Sequence, residues 1–239
     1  KLGGVIAILY VAADAVRPWL DVAGPALAAL AALTMTVGNL VALRQQRMVR
    51  LLAWSSVAQA GYILAPLGAF MAASGRTDKA FALAASATIA YTIFYVLMEL
   101  GAFAAVVALR PADADGGSIV DYRGAARRSP WVSAAFVLAL VGLAGLPPGL
   151  AGLFAKVAVV RSLLGGGAGW LAVVVALNAV VGLAYYVRVA AVLFSPADQA
   201  APRIRVGWAV AATLGLATLV ALVVGFAPQL VLDVSALTR

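Results

Sequence analysis

Two of the chain's three lysines, Lys1 and Lys156, lie in apolar sequence of membrane length, whereas most basic residues in the connecting segments are arginines. Arginine keeps its charge in a protein, while a lysine in a low-dielectric interior can release its proton near neutral pH. Lysines placed this way point to proton loading and release inside a membrane. Lys156 stands seven residues past Gly149, which closes the sequence Gly145-Leu146-Pro147-Pro148-Gly149. Prolines cannot donate backbone hydrogen bonds and their rings clash with the preceding turn, so two half-helices joined by irregular backbone are expected here. Such backbone persists at membrane depth only when it is buried in protein or lines a watery cavity, and transporters place ion sites at such breaks. The competing reading is a proline-kinked helix whose lysine extends to the interface. Lys1 opens the apolar run LGGVIAILYVAA. About 20 Å of helix would separate it from the polar residues Asp14 and Arg17, which puts it at mid-membrane if apolar sequence precedes it and at a helix flank otherwise.

Other polar residues stand in apolar surroundings. Glu99 lies within IFYVLMELGAFAAVV. A lone carboxylate there is costly, so it is protonated or paired. It is either a proton carrier or a structural partner for a lysine or for Arg188. Arg188, in LAYYVRVAAVLF, is a poor proton donor and reads as a snorkelling residue or an electrostatic tuner. Tyr185 and Tyr186 beside it read as interfacial belt residues. Ser55, Ser56 and Gln59 fall in RLLAWSSVAQAGY. Ser55 and Gln59 are four apart and share a helix face. They could hold a file of waters or bond neighbouring helices together.

The elements that must position these residues are transmembrane helices. The chain is 65% hydrophobic and 11% charged over 239 residues, against about 45–50% and about 25% in soluble domains. The fold class is therefore all-α: a polytopic transmembrane helix bundle containing a discontinuous, proline-broken helix. Apolar segments fall at about 2–16 (partial), 24–43, 49–73, 80–109, 131–163 (broken near 145–149), 168–194 and 206–227. They form a single membrane domain over 1–239. The sequence begins without Met and inside an apolar run, which reads as the C-terminal part of a longer subunit.

With neither cysteine nor histidine, disulfide and thiolate chemistry is excluded, and the usual haem and zinc ligation is not expected. There is no phosphate-binding glycine loop, no dinucleotide fingerprint and no metal-ligand cluster. No cofactor-binding and no metal residues are therefore expected in this chain. The net charge of +8 comes from arginines flanking apolar spans, so it reflects loop bias and implies no nucleic-acid partner. Arg44, Arg47, Arg50, Arg110, Arg123, Arg127, Arg128, Arg203 and Arg205 fall on one side of the membrane, and Arg17, Arg76, Lys79, Arg161 and Arg239 on the other. The first, richer side is expected to be cytoplasmic, with the C-terminus on the outer side.

Three segments together resemble the antiporter-like membrane subunits of respiratory complex I, and in combination and order the subunit N family of this proton-translocating NADH:quinone oxidoreductase. The first runs from Gly38-Asn39-Leu40 into Arg50-Leu51-Leu52-Ala53-Trp54-Ser55-Ser56 and on to Tyr62. The second is Leu143 to Gly149 followed by Gly152-Leu153-Phe154-Ala155-Lys156. The third is Leu177-Asn178 through Tyr185-Tyr186-Val187-Arg188. The resemblance covers nearly the whole chain, and the second segment is the most specific. It departs from the family at Trp54, usually Tyr; at Gln59, often His; and at Val49, often basic. The stretch between Pro148 and Lys156 is one residue longer than in many relatives.

The resemblance implies roughly the second half of a fourteen-helix subunit, with Lys1 as the central lysine of its eighth helix and Lys156 as the lysine of its broken twelfth. These would be proton-loading sites on a hydrated mid-membrane axis. Redox chemistry, with flavin, iron–sulfur clusters and quinone, would belong to partner subunits. The implied partners are the other membrane-arm subunits, the lipid bilayer and protons, and the implied location is the bacterial plasma membrane. Two rival functions remain: a subunit of a multi-subunit cation/proton antiporter, and a non-catalytic scaffold whose lysines are structural.

Overall fold

The structure, a computed structural model, describes residues 2–15, 17–110, 116–196 and 206–235. Lys1, the segment 111–115, the 197–205 stretch with Arg203 and Arg205, and the terminal Arg239 lie outside the described residues. Among those described, the chain is helical throughout, with a lone bridge between Arg47 and Ser118 as its strand-like pairing.

The helices are α1 (Leu2–Tyr10), α2 (Leu20–Arg44), α3 (Met48–Leu64), α4 (Asp78–Leu109), α5 (Ala125–Arg128), α6 (Pro130–Ala144), α7 (Leu150–Gly165), α8 (Gly169–Phe194), α9 (Trp208–Phe226) and α10 (Gln229–Ser235). α1 runs into a π-helical turn over Val11–Ala15, and α3 continues as a 3-10 helix over Ala65–Met71. By length and composition, Arg17–Arg44, α4, α8 and α9 can each cross a membrane. Large apolar side chains such as Leu33, Leu177, Val180 and Leu216 stay exposed on the bundle's outside, as a lipid-facing surface requires.

The sequence predicts a broken element over 131–163, two half-helices with the break near 145–149; the structure has α6 and α7 there. α6 begins with Pro130, whose missing N–H is no loss at a first helical position. It ends at Gly145, in the left-handed region at φ +81°. The N–H groups of Gly145 and Leu146 both return to the Val141 carbonyl, at 3.0 and 3.1 Å, and glycine occupies this conformation without a Cβ clash. α7 then starts almost in contact with α6. A Cβ on Gly152 would collide with the Gly142 carbonyl oxygen, so the close crossing depends on hydrogen at that position.

Polar contacts gather the connections at two ends. At one, Met48 N donates to Gly117 O and Ile119 N to Gln46 O, which joins the 44–48 turn to the 116–124 segment. At the other, Ser74 Oγ donates to Gly166 O, Arg17 pairs with Asp78 and Arg76 Nε donates to Phe70 O. Helices α2, α3 with its 3-10 continuation, α4 and α8 run between these ends, as do α6 and α7 taken together, around a large core with a smaller cluster at Leu20, Leu67, Phe70 and Ala84.

Candidate functional site

A helix leaves its last four carbonyls without intrahelical partners. In α6 those carbonyls fall at the break, and the one on Leu143 receives two side chains. Lys156, from the second turn of α7, donates through Nζ at 2.7 Å. Gln59, from α3, donates through Nε2 at 3.1 Å. The negative end of the α6 dipole is complementary to a cation in this position. Lys156 precedes the end of α7 by nine residues, about 14 Å of rise, so its ammonium sits well inside the bundle. The alternative of a lysine extended to the interface does not describe it.

Gln59 is 2% exposed and saturates its amide. Besides Leu143 it donates to the Tyr186 hydroxyl at 3.2 Å, and its Oε1 accepts from the Tyr91 hydroxyl at 2.7 Å. Tyr186 in turn bonds Ser55 Oγ at 2.5 Å. Ser55 and Gln59, one turn apart on α3, thus face α8 together. Ser56, the next residue, is turned about 100° round the helix and donates to Glu99 of α4. Glu99 and Ser56 border an open cleft of about 730 Å³ together with Tyr95, Phe103 and Gly3.

A second buried cluster lies alongside. Asn39 of α2 accepts from Tyr185 at 3.0 Å. Its amide nitrogen lies 3.2 Å from the Tyr62 hydroxyl and 3.1 Å from both oxygens of Asn178. Asn178 Nδ2 reaches Thr36 Oγ1 at 3.1 Å. The rings of Tyr185 and Tyr186 touch, 4.4 Å between centroids, which joins this cluster to the first.

Several sequence expectations change. Tyr185 and Tyr186 are 1% and 2% exposed, so they are interior hydrogen-bonding residues and not an interfacial belt. Arg188 extends to the bundle end at the 44–48 turn and is not the partner of Glu99. Its guanidinium donates to the carbonyls of Leu43 at 3.0 Å and Gln45 at 2.5 Å, capping the end of α2. Gly145, Pro147, Pro148 and Gly149 form the connection between α6 and α7. Lys1 lies outside the described residues. Asn39, Asn178, Tyr62 and Tyr91 are functional-site residues to which the sequence alone gives no role. The two asparagines in otherwise apolar helices were the available signal; the tyrosines gave none, because tyrosine in a membrane helix is common at the interface.

A profile of the NADH:quinone oxidoreductase/Mrp antiporter transmembrane family matches residues 1–182. The chain is 61% identical to NADH-quinone oxidoreductase subunit N of Salinispora tropica, covering 99% of this chain and 51% of that protein. It is 37% identical to subunit N of Acidothermus cellulolyticus, over 88% of this chain and 39% of that one. The chain therefore spans about half the length, or less, of these curated relatives. Among solved structures, a chain of respiratory complex I from Thermus thermophilus with bound aureothin superposes with TM-score 0.69 at 32% identity, over 88% of this chain and 45% of that chain. A chain of the Mrp complex from Dietzia superposes with TM-score 0.78 over 97% of this chain and 49% of that one. At 22% identity this is a likeness of fold.

Proposed function

The chain belongs to the NADH:quinone oxidoreductase/Mrp antiporter transmembrane family, and from that premise we propose that it forms part of a proton-translocating membrane subunit of an NADH:quinone oxidoreductase, of the subunit N type. Lys156 is its central proton-loading group. The observation that carries this is the ammonium held at 2.7 Å on the open carbonyl end of α6, inside the bundle. A proton taken up there remains close to Gln59 and Tyr186, and a change in the charge nearby can drive it off. Glu99 with Ser56 forms a second polar station between α3 and α4. Lys1, the second lysine in apolar sequence, is proposed as a further loading site. Between the stations the polar groups would order a hydrated axis. Redox energy comes from partner subunits carrying flavin, iron–sulfur clusters and quinone, and the neighbours are the other membrane-arm subunits.

The membrane is the bacterial plasma membrane. The end bearing Arg44, Arg47, Arg127 and Arg128 faces the cytoplasm and the C-terminus the outer side. The names of the relatives at 37–61% identity support this assignment over a multi-subunit cation/proton antiporter. Lys156→Arg tests the proton-loading role, because arginine keeps the charge and cannot release the proton. The variant enzyme is expected to assemble yet lose most turnover and proton uptake. Full activity with arginine would mean that a fixed charge suffices and that Lys156 loads no proton.

A further inference from the structure

Lys156 has a second neighbour at the break, the face of an aromatic ring. Its Nζ lies 5.4 Å over the ring centroid of Tyr62, inside the ~6 Å range in which a ring quadrupole attracts a cation. Tyr62 is buried and held from two directions. Asn39 reaches its hydroxyl at 3.2 Å, and its ring stacks on Tyr91 with centroids 6.1 Å apart and an interplanar angle of 14°. Tyr91 in turn donates to Gln59, the residue that shares the Leu143 carbonyl with Lys156. The hydroxyl of Tyr62 is turned to Asn39, so the π face is what it offers to the lysine. The two groups that receive the ammonium, carbonyl and ring, are therefore tied together through Gln59 and Tyr91.

We propose that Tyr62 is a positioning residue for Lys156: its ring face, fixed by Asn39 and Tyr91, seats the protonated ammonium against the Leu143 carbonyl at the helix break. The attraction requires the cation, so a neutral amine loses it, and the seat distinguishes the loaded from the unloaded lysine. This rests on Lys156 being the proton-loading group.

The test replaces Tyr62 in the complete enzyme, reconstituted in sealed vesicles, and follows NADH:quinone turnover with proton uptake. Tyr62→Phe keeps the ring and its stack on Tyr91 but gives up the Asn39 contact, so it serves as the reference against which the fluorinated rings are read. Phenylalanines carrying one, two and three fluorines at this position have nearly the same shape but progressively poorer ring faces. Coupled turnover should fall with each fluorine, to about tenfold below phenylalanine at three, the scale of a desolvated cation–π contact. A flat fluorine series overturns the proposal, and does so equally if Tyr62→Leu is impaired, since the ring would then act by packing alone. The reading beneath it fails separately, through full activity of Lys156→Arg.

Discussion

The Leu143 carbonyl is the point on which the polar interior turns, because a single backbone oxygen takes both the lysine and the glutamine. Gln59 then passes the constraint on to Tyr91 and Tyr186. Replacing it with leucine keeps roughly its volume but strips these buried hydroxyls of a partner. A buried polar group left unpaired costs about 1–3 kcal/mol. Gln59→Leu should therefore lower the thermal stability of the assembled enzyme as well as its turnover, and an unchanged melting temperature would contradict the network. At this scale the sequence was half legible. Lys156, Gln59, Ser55, Ser56 and Glu99 stand out because polar types are costly in apolar segments. The acceptor that brings Lys156 and Gln59 together is a main-chain oxygen of a leucine, which no residue type announces. The tyrosines were misplaced because burial and interfacial exposure demand the same amphipathic side chain.

Among the elements, one device recurs: a cation reaches the open carbonyl end of a helix. Lys156 does so for α6, Arg188 for α2, and Arg76 for the 3-10 turn that follows α3. The last two sit at the ends of the bundle, where water is near, and only the first lies at the break. The break itself was legible, since Gly145, Pro147, Pro148 and Gly149 cannot continue a helix. The crossing of α7 over α6 was not, because it depends on Gly142 and Gly152 meeting across the bend. Gly152→Ala would press a methyl group onto the Gly142 backbone, and overpacking of this kind costs about 1–3 kcal/mol. The expected result is reduced incorporation of the subunit into the membrane complex, measured by its amount in purified enzyme. Normal incorporation with normal activity would show that the crossing tolerates separation.

For the whole molecule, the two polar ends set the orientation. The end joining the 44–48 turn to the 116–124 segment carries the arginine excess that predicts the cytoplasmic side. The chain has no cysteine, so single cysteines report cleanly. Arg127→Cys should react with a membrane-impermeant thiol reagent only from the cytoplasmic side, and Lys79→Cys only from the outer side. The reverse pattern would invert the assigned topology. Apolar length marks the candidate membrane-spanning segments in the sequence, and the arginine bias of the connections carries the proposed orientation.

As proposed, Lys156 lies on an obligatory coupled proton path. The most direct test is Lys156→Ala in the complete enzyme in sealed vesicles, with assembly, NADH:quinone turnover and proton uptake followed side by side. The expected result is an assembled complex in which turnover and uptake fall together. An assembled complex with both at normal levels would contradict it and leave the lysine a structural cap on α6.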